Sequence, residues 1–274
     1  MKACESAGEE LFETGGRRLL ARLQAGETCL ALGLRNARTP EIVRLAAAAD
    51  FDLVWIDMEH APIGIETAAE LAATASALGL GGWVRIPEGM PGLVGPLLDG
   101  GAGGIVFPHI ESAEAARDAV AACRFPPHGS RSQNALLPQL GYRRLPPEER
   151  MRRADRSVIV QLVIETPEGV NNIYEIADVP GIDLIALGLN DLSTMMGHAG
   201  QPDHPEVVSA CRRVIDAGRK YGVAVVAGGV GSPDHFRQLV STGVAPLAFA
   251  GMDTEMIADV LAQRRERWRN GVSS

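Results

Sequence analysis

Eight short apolar runs, spread over 274 residues, are the feature that most constrains the fold of this chain. They lie at 29–34, 53–57, 82–87, 103–109, 158–165, 183–188, 223–229 and 246–251. Each run is continuous rather than alternating, which is typical of parallel strands covered on both faces. Most of the intervals carry helical patterns, as at 40–49, 64–78, 112–124 and 204–222. This alternation predicts an α/β fold, a single (β/α)8 TIM barrel domain over residues 1–274.

Two further segments complete the predicted barrel. A helix at roughly 8–25 precedes the first strand, and a long connection at 125–157 separates the fourth strand from the fifth. A connection of this length is usually functional or contains short helices. A doubly wound open sheet is the alternative architecture, but its glycine-rich dinucleotide fingerprint is missing after the first strand.

Composition and charge limit the partners of the chain. Its 26 basic and 34 acidic residues give a formal charge of −8, which argues against a nucleic-acid binder. No apolar run approaches the ~20 residues that span a bilayer, and the polar N-terminus has no signal-peptide pattern. The four cysteines form no CxxC pair. These features predict a cytoplasmic protein with reduced thiols and no membrane or nucleic-acid partner.

Ionisable side chains follow several of the predicted strands. In (β/α)8 barrels, active sites form at the carboxyl ends of the strands. The second run leads into Asp57, Glu59 and His60. The later runs end in or lead to Arg85, His109, Glu165, Asn190 and Asp191. Acids, histidines and a fixed cation therefore converge on one rim of the predicted barrel.

Glu165 and Asp191 follow successive strands, the fifth and the sixth. Two carboxylates on neighbouring strand ends can hold a hard divalent cation and leave coordination positions for water or a chelating substrate. This arrangement suits Mg²⁺ or Mn²⁺ acting as a Lewis acid. The alternative is that each acid caps the helix that follows it.

Arg85 and the rim histidines each have two interpretations. A guanidinium in a barrel mouth suits a carboxylate or a developing oxyanion, but Arg85 can also form a structural ion pair. Asp57, three residues before His60, can orient the imidazole as a general base. A lone histidine is more often structural, and the same applies to His109.

Other catalytic classes have less support. Ser193 lies in no GxSxG context, so a serine nucleophile is not indicated. Lys2 and Lys220 are the only lysines, and neither falls in a predicted strand, which disfavours a Schiff-base aldolase. The glycine-rich segment 227–232 contains no GxxxxGK[ST] and is interpreted as a tight turn.

Several ordered motifs resemble those of the HpcH/HpaI aldolases, which are metal-dependent, class II pyruvate aldolases. They are "FDLVWIDMEHAP", "VRIP", "GGIVFPH", "CRFPPHGSRS", "VIETPEGVNNIYEIADVPGIDLIALGLNDLSTMMG" and "GQPDHPEV". The likeness runs from about residue 10 to 262. Members of this family include 4-hydroxy-2-oxoheptanedioate aldolase, 2-dehydro-3-deoxyglucarate aldolase and macrophomate synthase.

The resemblance implies a carbon–carbon lyase. It would make or break a bond at C3 of a 2-oxo acid through an enolate, with an aldehyde as the second substrate. The cofactor would be Mg²⁺ or Mn²⁺, with Co²⁺ as a further candidate. The resemblance also implies a (β/α)8 barrel in a homo-oligomer, a hexamer built as a trimer of dimers, with the last helix swapped between subunits.

Site residues are assigned by the same resemblance. Glu165 and Asp191 would be the metal ligands, Arg85 would hold the pyruvyl or enolate oxygen, and His60 with Asp57 would manage protons. Gly188 and the backbone of Leu189, Asn190 and Asp191 would contact the substrate carboxylate. Glu59 would contact metal-bound water, and Asp99 would reach the site of a neighbouring subunit.

Three departures from the family pattern bear on substrate choice. Val163 occupies a position where many members carry glutamine, and Gln161 lies two residues further back. The first strand leads into Arg35 in place of tryptophan, which would select an acidic acceptor or form a surface salt bridge. His109 is shared with macrophomate synthase, which decarboxylates oxaloacetate to an enolate.

These departures leave two alternative functions open. The first is an oxaloacetate decarboxylase or a condensing enzyme like macrophomate synthase. The second is a non-catalytic barrel that binds a 2-oxo acid. The 125–157 connection is expected to shape acceptor choice, through Arg131, Gln133 and Tyr142.

Overall fold

The computed structural model describes residues 14–272 of the chain. Its strands are β1 (Cys29–Leu34), β2 (Leu53–Asp57), β3 (Gly81–Arg85), β4 (Gly104–Phe107), β5 (Ile159–Ile164), β6 (Leu184–Gly188), β7 (Ala224–Gly228) and β8 (Leu247–Met252). All pair in parallel, in the order β7-β6-β5-β4-β3-β2-β1-β8. At the seam between β7 and β8, the N–H of Ala245 donates to the carbonyl oxygen of Val225 at 2.7 Å. The sheet is therefore a nearly closed barrel.

Helices alternate with the strands and surround them. They are α1 (Gly15–Gln24), α2 (Glu41–Ala48), α3 (Ile65–Ala77), α4 (Val94–Asp99), α5 (Ala113–Cys123), α6 (Pro147–Ser157), α7 (Pro167–Asn171), α8 (Ile173–Ala177), α9 (Leu189–Met195), α10 (Pro205–Tyr221), α11 (Pro233–Thr242) and α12 (Asp253–Val272). The (β/α)8 barrel predicted from the sequence is confirmed. The predicted helix before β1 is present as α1, and its expected first residues, 8–13, lie outside the described part of the chain.

The strands are buried on both faces, which explains their unbroken apolar character. In β5, Ile159 and Val163 pack in the barrel interior, whereas Val160, Leu162 and Ile164 pack against the surrounding helices. Side chains alternate between the two faces of a strand. Residues two apart therefore face the barrel axis together, and those nearest the carboxyl ends of the strands lie at the mouth.

Helix α1 closes the opposite end of the barrel. Its Leu19, Leu20 and Leu23 belong to the same buried cluster as the interior residues of the strands. Gly15 allows this approach, because a Cβ there would lie 2.2 Å from the carbonyl oxygen of Leu80, just before β3. With the amino end covered, the interior is open at the carboxyl ends of the strands.

The long connection between β4 and β5 contains ordered structure, as its length predicts. A 3₁₀ turn at Pro138–Leu140 and helix α6 lie within it. They enclose a small separate core of Phe125, Leu137, Leu140 and Ala154. The connection leads from the end of α5 to the start of β5, so it begins and ends on the amino side of the strands.

Cys29, Cys123 and Cys211 are free and buried, and burial raises the pKa of the Cys123 thiol to about 12. None of the helices described within residues 14–272 has the length and apolar character needed to cross a membrane.

Candidate active site

A cavity of about 590 Å³ occupies the mouth of the barrel. Its lining includes the junction of β6 and α9 and five ionisable side chains, namely Arg35, His60, Arg85, Glu165 and Asp191. Trp55, Gln161 and Val163 line it from deeper in the barrel. The sequence-predicted residues from β1, β2, β3, β5 and β6 are therefore brought together at one site.

Arg85 is held in the cavity wall by acids from the neighbouring strand. Asp57 and Arg85 are register partners on β2 and β3. The Nε and Nη2 of Arg85 donate to the two carboxylate oxygens of Asp57 at 3.0 and 2.7 Å, and its Nη1 lies 2.9 Å from Oε2 of Glu59. The guanidinium also lies 4.6 Å from the ring centroid of Trp55. The two hydrogen bonds to Asp57 use two of its five N–H groups, and the others remain for the nearby Glu59 and a substrate oxygen.

Asp57 is fully buried and is the common partner of both rim arginines. Besides Arg85, it accepts from Nε of Arg35 at 2.7 Å and from the backbone N–H groups of Glu59 and His60. Burial raises the pKa of Asp57, but the hydrogen bonds from Arg85 and Arg35 outweigh it and hold the pKa below its usual value. The carboxylate is therefore ionised and anchors the two cations.

This geometry corrects the expectation that Asp57 orients the His60 ring. The Asp57 carboxylate contacts the backbone N–H of His60, and its oxygens are occupied by the two arginines. The His60 ring instead has Nε2 at 3.7 Å from Oε2 of Glu59. With its side chain 52% exposed, His60 lies at the outer edge of the mouth.

His109 links two of the acids. Its backbone N–H donates to Oε1 of Glu165 at 2.9 Å, and its Nδ1 lies 3.2 Å from the same oxygen. Its Nε2 lies 3.3 Å from Oε1 of Glu59. His109 adopts a left-handed backbone conformation with φ of 51°, which histidine adopts more readily than bulkier residues. The turn after β4 thus brings both the backbone and the ring of His109 to Glu165.

Glu165 is almost completely buried behind the cavity surface. Burial raises the pKa of its carboxyl group, and the negative charges of Asp191 and Glu59 act in the same direction against the hydrogen bond from His109. Gly188 lies directly against it, because a Cβ at that position would approach Oε2 of Glu165 to 2.8 Å. The absence of a side chain on Gly188 keeps that oxygen accessible from the cavity.

Helix α9 begins at the cavity and presents Asn190 and Asp191, both of them exposed. The backbone N–H groups of its first turn have no acceptor within the helix. Gly229, with φ of 77°, lies against Asn190, and a Cβ there would come within 2.9 Å of the amide carbon of Asn190. The glycine-rich turn after β7 therefore packs closely on α9, as a tight turn.

The donor set fits a hard divalent cation. Glu165 and Asp191 provide carboxylate oxygens on one wall, and oxygen ligands are those that Mg²⁺ and Mn²⁺ prefer. Carboxylates outnumber arginines around the mouth, and the negative charges of Asp191 and Glu59 add to burial in raising the pKa of Glu165. A buried oxygen of Gln161 also has no hydrogen-bond partner. A bound cation would offset the negative charge of the carboxylates.

Four residues named from the sequence lie away from this cavity. Asp99, at the end of α4, pairs with the buried Arg131, whose Nη2 lies 2.8 Å from Oδ1 of Asp99. Gln133 accepts from Arg150, and Tyr142 is exposed. The 125–157 connection lies on the amino side of the strands, so Arg131, Gln133 and Tyr142 are not among the residues that line this cavity within the single chain.

One positioning residue was not identified from the sequence. Asp253, at the start of α12, is 2% exposed. Its carboxylate accepts from the backbone N–H groups of Arg35, Asn36 and Ala37 at 2.7 to 3.1 Å. It thereby fixes the loop that carries Arg35. Its only sequence signal is an acid directly after the last strand.

Comparisons with known proteins agree with this architecture. The family model described as HpcH/HpaI aldolase/citrate lyase matches residues 34–258. The chain is 39% identical to a 4-hydroxy-4-methyl-2-oxoglutarate aldolase of Hapsidospora irregularis, over 74% of this chain and 76% of the relative. It is 31% identical to a 2-keto-3-deoxy-L-rhamnonate aldolase of Escherichia coli, over 91% of this chain and 92% of the relative.

A solved structure of macrophomate synthase superimposes with a TM-score of 0.76 at 25% identity and covers 92% of this chain and 90% of that chain. The family predicted from the motifs is therefore confirmed, and the named aldolases support the predicted lyase class. The chain belongs to the HpcH/HpaI aldolase/citrate lyase family.

Proposed function

We propose that this chain is a divalent-metal-dependent aldolase that cleaves or forms the C3–C4 bond of a 4-hydroxy-2-oxo acid. The observation that carries the proposal is the placement of Glu165 and Asp191 in one cavity with the clamped Arg85. This cavity combines ligands for a hard cation with a fixed donor for an oxyanion.

Glu165 and Asp191 would hold Mg²⁺ or Mn²⁺, with Co²⁺ as a substitute. When bound, the cation supplies Lewis-acid stabilisation for the carboxylate and keto oxygens of the 2-oxo acid. The chain itself contributes the backbone N–H groups at Leu189, Asn190 and Asp191, which meet the substrate carboxylate at the start of α9. Gly188 leaves room for that approach.

Arg85 would stabilise the negative charge that develops on the keto oxygen. Asp57 and Glu59 hold its guanidinium before substrate arrives, so little reorganisation is needed during the reaction. Preorganised donors of this kind are usually the largest single contribution to catalysis. The N–H groups of Arg85 that do not bond to Asp57 remain available for this oxygen.

His60 would move the proton at C4. In cleavage, its ring takes the proton of the C4 hydroxyl group, the C3–C4 bond breaks, and its electron pair passes into the enolate of the 2-oxo acid. Protonation at C3 then gives the 2-oxo acid product. Glu59, 3.7 Å from the His60 ring and 2.9 Å from Arg85, would couple the two groups.

The substrate would carry a second carboxylate. Arg35 lines the cavity while its Nε is held by Asp57, so a second fixed cation faces the open side of the mouth. A relative is named for 4-hydroxy-4-methyl-2-oxoglutarate, which has two carboxylates. We propose this dicarboxylate class, with a 2-oxo acid as the acceptor in the reverse reaction.

The test is a cleavage assay that measures pyruvate release from 4-hydroxy-4-methyl-2-oxoglutarate, with Mg²⁺, Mn²⁺ or Co²⁺ and with chelator. Activity should require metal and disappear in Glu165→Ala. Arg35→Met should raise KM for this dicarboxylate and leave KM for a neutral-acceptor substrate, such as 2-keto-3-deoxy-L-rhamnonate, unchanged. Equal effects on both substrates would contradict the role of Arg35.

A second candidate function is oxaloacetate decarboxylation, which the position of His109 favours. Its contacts to Glu165 and Glu59 place a ring beside the proposed metal site. His109→Asn is the matched variant, because asparagine tolerates the same left-handed backbone. If decarboxylation is the main reaction, this variant should impair oxaloacetate loss more than aldol cleavage.

We also propose a homo-oligomer, a hexamer built from dimers, in which α12 packs on a partner subunit. Four large apolar residues of this helix are exposed in the single chain, namely Ile257, Val260, Leu261 and Trp268. Exposed apolar patches of this kind mark interaction surfaces. Light scattering after size exclusion should give a hexamer for the wild type and smaller species for Leu261→Glu, with Gln263→Glu as the control.

A further inference from the structure

A second group of metal-binding side chains lies outside the barrel mouth, where α9 leads into α10. It consists of His198, His204 and Glu206. The ligand atoms of the three side chains all lie within 4.8 Å of one another. Nε2 of His198 lies 3.0 Å from Oε2 of Glu206, and the rings of His198 and His204 stack with centroids 3.5 Å apart and an interplanar angle of 18°.

The local sequence holds these side chains in place. His204 is the residue before α10, and its Nδ1 accepts the backbone N–H of Glu206 at 3.4 Å. This contact is long for a hydrogen bond, so the nitrogen is positioned at the helix start but only weakly engaged. The backbone N–H of His198 donates to the carbonyl oxygen of Ser193 at 2.7 Å, which holds His198 against the end of α9.

Charge and access suit a cation. The Glu206 side chain is 67% exposed and its Oε2 lies beside Nε2 of His198, so an ion can reach this carboxylate from solvent. Asp203 directly precedes His204 in the chain, and its Oδ1 lies 3.6 Å from Nε2 of His235.

We propose that His198, His204 and Glu206 form a second metal site, for a borderline transition-metal ion such as Zn²⁺, Co²⁺ or Ni²⁺. Two imidazoles and one carboxylate are the ligands that these ions prefer, whereas an all-oxygen set suits Mg²⁺. The two sites of the chain therefore differ in metal preference. An ion at this site would link the end of α9 to the start of α10 and so stabilise the loop between these two helices.

The test separates this site from the catalytic one by removing Glu165. Full-length Glu165→Gln protein is titrated with Co²⁺, and binding is followed by calorimetry and visible absorption. The proposal predicts one bound Co²⁺ per chain with a ligand-field spectrum. His198→Ala in this background should weaken binding at least about tenfold, since even outer-sphere changes at metal sites cost that much. His128→Ala, which removes a distant histidine, should bind as the parent does.

Glu206→Gln provides a second variant that keeps the size and polarity of the side chain. It should also weaken Co²⁺ binding, and circular dichroism without metal checks that each variant is folded. No Co²⁺ binding by Glu165→Gln, or equal affinity in the His198→Ala and His128→Ala variants, would overturn the proposal. The measurement is of metal binding and does not depend on aldolase activity, so its result is independent of the proposed function.

Discussion

Asp57 and Arg85, register partners on adjacent strands, form a two-point ion pair with N···O distances of 3.0 and 2.7 Å. Paired N–H groups and a planar carboxylate match in geometry, which lysine cannot reproduce. The pair fixes the one buried cation of the described cavity wall before substrate binds. The opening of the barrel is therefore preorganised by a contact between two neighbouring strand ends.

Arg85→Lys is expected to reduce kcat/KM by about 10²-fold or more, since loss of one preorganised oxyanion donor typically has an effect of this size. The ammonium group keeps the charge but cannot bridge Asp57 and a substrate oxygen in the same way. Steady-state kinetics of aldol cleavage checks this. Arg44→Lys, on the surface of α2, is the matched control. A similar loss of kcat/KM in both variants would contradict the specific role of Arg85 as an oxyanion donor.

The ion pairs of Asp57 should give the fold a specific pH dependence. Because its folded pKa lies below its usual value, Asp57 contributes stability above the unfolded pKa of about 3.9, and this is lost as pH falls through the folded pKa. Arg35→Met should cost about 1 kcal/mol at neutral pH, a value reduced by the partial exposure of Arg35.

Urea unfolding of metal-free protein between pH 3 and pH 7 measures that contribution. The difference in unfolding free energy between wild type and Arg35→Met should narrow as pH falls below about 4, because Asp57 becomes protonated in both proteins. A difference that stays constant or widens in acid would contradict the assignment.

Asp253→Asn should loosen the loop that carries Arg35. The carboxylate accepts three N–H groups of that loop, and an amide would turn a donor toward some of them. We expect a loss of about 2 kcal/mol in the free energy of unfolding, typical of unsatisfied buried groups. Asp259→Asn on the exposed face of α12 is the control, and equal stability of the two variants would refute the positioning role.

Gly188→Ala tests the access to Glu165. A Cβ at this position would lie 2.7 Å from Cβ and 2.8 Å from Oε2 of Glu165, so the carboxylate must shift. Mn²⁺ affinity measured by calorimetry should fall by at least about tenfold. Gly92→Ala, where a Cβ meets nothing within 4 Å, is the control. Unchanged Mn²⁺ affinity in Gly188→Ala would mean that Glu165 is not a ligand.

Much of the site follows from strand periodicity. Asp57, Arg85 and Glu165 end or follow buried strands and lie in phase with the interior residues Trp55, Trp83 and Val163. Because parallel strands end on the same side of a barrel, their convergence could be predicted without coordinates. Gln161 likewise faces the cavity, as its spacing from Glu165 implies.

Other relationships could not be read from spacing. Asp253 and Arg35 are 218 residues apart, and their contact depends on closure of the barrel between β1 and β8. The partner of Asp57 is also set by tertiary structure. Local spacing suggested the His60 ring, but Arg85 on the adjacent strand offers the carboxylate two N–H donors of matching geometry.

The most direct test of the proposed function is metal-dependent carbon–carbon bond cleavage by wild type and by Glu165→Gln, measured in parallel as pyruvate release and as Mn²⁺ affinity. We expect that chelator abolishes cleavage by the wild type, that added Mg²⁺ or Mn²⁺ restores it, and that Glu165→Gln loses both metal binding at the barrel mouth and activity. Cleavage that persists in chelator and in Glu165→Gln would contradict the proposed function.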